Sequence, residues 1–149
     1  MNERVRSHFN EIEARLIECP VILSYQITRR DISQDDGKLR IKSVLTGGGV
    51  FECFLYVKDT GHCVYPLKFS FHWQDAEGKA VRRLDNAPHH TDLPYAPNHL
   101  HIGADHVEGF SGNPDIFAFI DKMERNLINN SDPAQAAFKA LTEDWRGNS

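Results

Sequence analysis

The chain has 149 residues, 40% of them apolar, and a formal net charge of −4. That is enough apolar material to fill one core, so a single domain over 1–149 is expected. Its lysines and arginines are scattered, which excludes a broad basic face for non-specific nucleic-acid binding; any RNA or DNA contact must be local. Arg4, Glu11, Glu13 and Arg15 interrupt the opening segment, which therefore lacks the uncharged run of a signal peptide or membrane span. A cytoplasmic protein without membrane contact is the expectation. Cys19, Cys53 and Cys63 are widely spaced and form no CxxC pair, which argues against a disulfide framework and a cysteine zinc site; two of the three are expected as buried structural thiols.

In chain order, Val5, Phe9, Ile12 and Leu16 recur at helical spacing and Pro20 ends the run, predicting a helix over 1–19. From Val21 the period becomes two, and an antiparallel sheet is expected over 21–84. Val21, Leu23, Tyr25 and Ile27 form a first strand, ended by "DISQDDG", and Leu39, Ile41 and Leu45 a second, ended by "TGGG". Phe51, Cys53, Leu55 and Val57 line the apolar face of a third, central strand. In the fourth, Cys63, Tyr65, Leu67, Phe69, Phe71 and Trp73 share one face, while Lys68, His72 and Gln74 share the face left open to water or a ligand. "DAEGK" at 75–79 fits a three-residue hairpin loop with Gly78 left-handed. This register sets Trp73 opposite Val81 and His72 opposite Arg82; a two-residue loop would exchange Arg82 for Arg83.

Residues 85–112 read as a His- and Pro-rich loop. Beyond it, Asn113 and Pro114 open a helix carrying Ile116, Phe117, Ile120, Met123 and Leu127, and a last helix begins near Ser131 with Ala137, Phe138, Leu141 and Trp145 on one stripe, so that helices occupy 113–147. The fold class that follows is α+β: a meander of about five antiparallel strands with an N-terminal helix and two C-terminal helices packed on one face.

Four histidines lie in "DNAPHHTDLPYAPNHLHIG", and three readings compete for them. In the first, His89 or His90 and His99 or His101 share the base and acid roles of RNA cleavage, because imidazole titrates near neutrality. Arg82, Arg83 or Lys68 stabilises the charged phosphorane, Asp85 orients a histidine, and no cofactor is needed. In the second, the HxH pair His99 and His101, whose rings point the same way on an extended backbone, binds a divalent metal with His89 or His90, or with Asp85 or Asp92. In the third, the loop and open sheet face form a non-enzymatic protein-interaction module. "TGGG" lacks the spacing of a phosphate-binding loop, and Ser43, Ser70 and Ser111 lack GxSxG context.

"FSFHWQDAEGKAVRRLDNAPHH" followed by "LPYAPNHLHIG" resembles the signature of the TumE family, the toxins of a bacterial type II toxin-antitoxin system, with the resemblance running from about Val21 to Gly103. It implies a small cytoplasmic toxin held inactive by an antitoxin partner that carries a helix-turn-helix domain, and it places weight on His72, Asp85, Asn86, His89, His90, His99 and His101. Two features depart from the family pattern: Asn98–His99 stands where an adjacent histidine pair is usual, and the segment after Asn130 is longer. RNA cleavage is the leading expectation on the strength of the histidines and arginines; the RNA target and the oligomeric state, a homodimer included, are not legible.

Overall fold

The structure is a computed structural model that describes residues 2–88, 92–129 and 145. Helix α1 (Glu3–Glu18) is capped by Asn2, whose side chain accepts from the Val5 N–H at 2.9 Å, and it buries Val5, Phe9, Ile12 and Leu16, the stripe read from the sequence. A seven-stranded antiparallel meander follows in chain order: β1 (Ile22–Ile32), β2 (Asp36–Leu45), β3 (Val50–Asp59), β4 (Val64–Gln74), β5 (Ala80–Asp85), β6 (His99–Ile102) and β7 (His106–Gly109). Helix α2 (Ile116–Asn129) starts two residues after Pro114, where Asp115 accepts from the Phe117 N–H at 2.9 Å.

Both helices contact the same sheet, and the core lies between. Phe119 of α2 packs its ring 5.6 Å from Phe51 and 5.9 Å from Phe71, and Trp145 closes the layer 5.2 Å from Phe119 and 6.1 Å from Trp73. Trp145 therefore packs on its own chain, whereas the expected helix around Ala137, Phe138 and Leu141 lies outside the described residues. None of the described helices is long and apolar enough to cross a membrane.

The sheet has seven strands rather than about five because β6 and β7 form inside the stretch read as a loop. In "HLHI" the histidines alternate with Leu100 and Ile102, and Leu100 is buried against the core side. The period of two was present, but the histidines read as loop chemistry rather than as the polar face of a strand. The 75–79 hairpin has the expected loop, with Asp75 N–H donating to Lys79 O at 2.8 Å and Gly78 at φ 84°. The register beyond it is corrected by one residue: an irregularity at Trp73/Gln74 sets Trp73 opposite Arg82 and His72 opposite Arg83. Two other irregularities turn expected core residues outward: one between Ile22 and Ser24 leaves Leu23 65% exposed, and one at Tyr56/Val57 leaves Tyr65 37% exposed.

Cys19 and Cys53 are buried and Cys63 is exposed. Burial pushes the Cys53 thiol up to about 12, so it carries almost no thiolate at neutral pH. Native protein at pH 7.5 is expected to release one equivalent of a chromogenic disulfide reagent quickly, from Cys63, and two more only in denaturant. Rapid native reaction of Cys53 would contradict the packing of β3.

Candidate active site

The face of the sheet opposite the helices carries the polar half of each alternating strand. Asp85, the last residue of β5, pairs with Ser70 on one side and His99 on the other, and Arg83 pairs with His72 and His101. Two adjacent rows thus bring one carboxylate, one guanidinium and three imidazoles to the same patch.

Asp85 is its centre. Its Oδ1 lies 2.7 Å from His99 Nε2 and accepts from the Ala87 N–H at 3.1 Å, while Oδ2 accepts from Arg83 Nε at 2.7 Å. The Asp85 side chain is only 6% exposed and that of His99 1%, and the Ala87 N–H and Arg83 Nε meet the buried oxygens. His99 Nδ1 donates to Pro97 O at 2.8 Å, since a carbonyl only accepts, and this fixes the ring. Arg83 reaches past Asp85 and donates from Nη2 to His101 Nε2 at 3.0 Å; an arginine has no lone pair to accept with, so His101 presents its lone pair at Nε2. The His99 and His101 rings are 5.0 Å apart. Of the two, His101 is the more exposed, at 15% of its side chain, and can meet a substrate.

The loop before β6 is held close. Gly109 of β7 sits so near the Pro94 carbonyl that a Cβ there would collide with it, and the Phe110 N–H donates to Asn98 O at 3.1 Å just before His99. Beside Asp85 a cavity of about 380 Å³ opens on the polar face, lined in part by Phe54, Lys68, Ser70, Arg83 and Asn86.

Not every expected residue stands at this patch. Arg82 points to the opposite face: it is 1% exposed, donates to Val81 O at 2.8 Å and lies 5.5 Å from the Trp145 ring centroid, so of the two arginines only Arg83 belongs to the site. Asn86 lines the cavity but is occupied with structure, accepting from the Phe69 N–H at 3.0 Å and donating to Leu67 O at 2.8 Å. Lys68 is exposed at the cavity rim. His72 is half-buried; burial, and then the Arg83 cation, hold it below the ordinary 6.5, so it is neutral at pH 7. His89 and His90 lie outside the described residues. Phe54 and Ser70 were missed, although both share the Asp85 row; counting alternate residues back from Asp85 along paired strands would have found them.

Asp85, His99 and His101 could also hold a metal ion, their ligand atoms all lying within 4.8 Å of one another. Two histidines and a carboxylate are a donor set that suits a divalent transition metal, and the Nδ1 bond of His99 to a backbone carbonyl is how ligating imidazoles are commonly oriented. The guanidinium competes for the same place, however, because Arg83 already bonds Asp85 Oδ2 and His101 Nε2. A metal would have to displace it.

The buried ion pair yields a stability prediction. Asp85→Ala removes the carboxylate from both Arg83, which water can still reach, and His99, and is expected to cost about 1.5 to 3 kcal/mol in urea denaturation at pH 7. A loss below about 1 kcal/mol would show that the carboxylate does not tie β5 to β6. His72 adds a pH dependence of known sign: its folded value is lowered, so its contribution is complete above 6.5 and is lost as the pH falls through that value, where the unfolded chain takes the proton first. His72→Gln should flatten the stability loss between pH 7 and 5.

A family model described as Toxin TumE matches residues 12–129, which include every strand among the described residues and α2. Neither the curated proteins nor the solved structures yield a match.

Proposed function

Since the chain belongs to the TumE toxin family, we propose that its toxicity comes from metal-independent cleavage of RNA at the Asp85, Arg83 and His101 cluster. The observation that carries this reading is the hydrogen bond from Arg83 to His101 Nε2, which sets the lone pair of a partly exposed imidazole beside a guanidinium held by a buried carboxylate. His101 Nε2 takes the proton of a ribose 2′-hydroxyl, and the 2′-oxygen attacks the adjacent phosphorus. The bond from phosphorus to the 5′-oxygen breaks, and that oxygen takes a proton from a second histidine, His89 or His90. Arg83 transfers its Nη2 bond from His101 to a phosphoryl oxygen and neutralises charge as the phosphorane forms. Asp85 and His99 are positioning residues, one fixing the guanidinium and the other fixing the carboxylate. His72, neutral at pH 7, faces Arg83 across the strand pair and borders the site without adding positive charge.

The reading places the protein in the cytoplasm with its RNA target, restrained by an antitoxin with a helix-turn-helix domain. Expression of the chain alone is expected to arrest growth, and His101→Ala or His90→Ala to relieve the arrest, since each acid or base contributes about 10²- to 10⁴-fold in rate. Undiminished toxicity in both variants would remove the catalytic assignment.

A second reading is favoured by one observation, the closeness of the Asp85, His99 and His101 donor atoms. In it Asp85, His99 and His101, with His89 or His90 as a further ligand, would hold a divalent metal that would supply Lewis-acid activation. Elemental analysis of protein purified without chelator separates the two: the first reading expects active protein with far less than one equivalent of zinc, nickel or manganese. A stoichiometric metal whose removal abolishes activity would establish the second.

A further inference from the structure

The cluster occupies one end of a larger polar face. Two rows cross the sheet to reach it: Arg40, Phe54, Ser70, Asp85 and His99 in one, and Lys42, Glu52, His72, Arg83 and His101 in the other. A third, shorter row sets Lys38 beside Tyr56 and Lys68. Strands are about 4.8 Å apart, so Arg40 stands about 14 Å from Asp85 along its row.

Charge on this face departs from that of the whole chain. β2 presents Lys38, Arg40 and Lys42 in alternation, and Lys68 and Arg83 continue the positive charge toward the cluster. The carboxylates between them are engaged: Glu52 lies 3.9 Å from Lys42, Asp36 accepts from the Tyr56 hydroxyl at 2.9 Å, and Asp31 pairs with Arg29 at 2.6 Å. Arg40 and Lys68 form no ion pair among the described residues. A chain of net charge −4 thus gathers a positive stripe on one side of its sheet.

Aromatic rings interleave with the cations. Phe54 and Tyr56 are half-buried on the open face of β3, while the residues that alternate with them fill the core. The Arg40 guanidinium carbon lies 4.5 Å from the Phe54 ring centroid, and Lys38 Nζ 5.1 Å from that of Tyr56. Each cation is held over a ring face and steadies it. Exposed rings flanked by cations on a sheet are how single strands are held, with bases stacking on the rings and phosphates meeting the charges. An acidic protein segment would use the cations but has no use for ring faces.

We propose that the open face of β2 to β5 is a binding track for single-stranded RNA, in which the cavity of about 380 Å³ beside Phe54 takes the nucleoside next to the bond that is cut, and Tyr56 stacks a base further along. This inference rests on the RNA-cleavage reading for its polarity toward Asp85, but its test is separable. The probe is a fluorescent 12-nucleotide single strand of 2′-O-methyl RNA, which lacks the hydroxyl nucleophile and so reports binding alone. Phe54→Leu and Tyr56→Leu are each expected to weaken binding about fivefold to a hundredfold, the range of a lost stacking contact. Tyr56→Phe, which keeps the ring and drops the hydroxyl bond to Asp36, should bind as the native chain does. Arg40→Gln with Lys68→Gln should reduce the slope of log affinity against log salt by about 1.4. Thermal midpoints near that of the native protein confirm that the variants fold.

Aromatic variants that bind as tightly as the native chain would overturn the track, and so would an unchanged salt slope; the cleavage reading would then survive if native protein still cuts RNA. Conversely, ring-dependent binding by a protein that cuts no RNA would leave the track standing and remove the cleavage reading. Absence of any binding to the 12-mer overturns the track outright.

Discussion

A carboxylate enclosed by protein needs hydrogen-bond donors at its oxygens, and Asp85 has one at each: the Ala87 N–H at Oδ1 and Arg83 Nε at Oδ2. His99, the Ala87 N–H and Arg83 converge on its two oxygens. The consequences spread outward through geometry. The β5–β6 register sets His99 opposite Asp85, with Nε2 2.7 Å from Oδ1, and the same register sets His101 opposite Arg83. Satisfying Oδ2 fixes the Arg83 guanidinium, whose far nitrogen then reaches His101. One buried group therefore determines where the accessible imidazole and the accessible cation stand.

Alternation along the strands divides labour between the two faces. Arg82 and Arg83 are neighbours in sequence with opposite fates, one laid under Trp145 in the helix-covered layer and the other beside Asp85. The helices and Trp145 pack on one face, the other carries the polar chemistry, and its rows lead from β2 to the cluster. A rigid seven-stranded sheet suits this role, because a site carried on strands moves less than one carried on a loop.

Helical periodicity made α1 and α2 legible, and the left-handed glycine made the 75–79 hairpin legible, because those signals are local. The single-residue irregularity at Trp73/Gln74 was not legible: nothing in "HWQDAEGKAVRR" says which residue is extra, yet that one residue decides whether Arg82 or Arg83 meets the histidines. Strands β6 and β7 were hidden for a different reason. The chemistry of His99 and His101 drew attention to their side chains, while Leu100 and Ile102 between them carried the strand signal. The shared direction of the two rings did follow from HxH on an extended backbone. Net charge misled about the surface, since composition averages over faces and the sheet separates them: the positive stripe of Lys38, Arg40 and Lys42 is balanced elsewhere on the chain.

The account turns on His101 drawing a proton from a ribose hydroxyl beside Arg83, with no metal-bound water in the reaction. Mass spectrometry of the ends left on a cut oligoribonucleotide tests this most directly. The account predicts upstream fragments ending in 2′,3′-cyclic phosphate and no cutting at a 2′-deoxy position. Fragments bearing a 3′-hydroxyl and a 5′-phosphate, produced equally from the deoxy substrate, would contradict it.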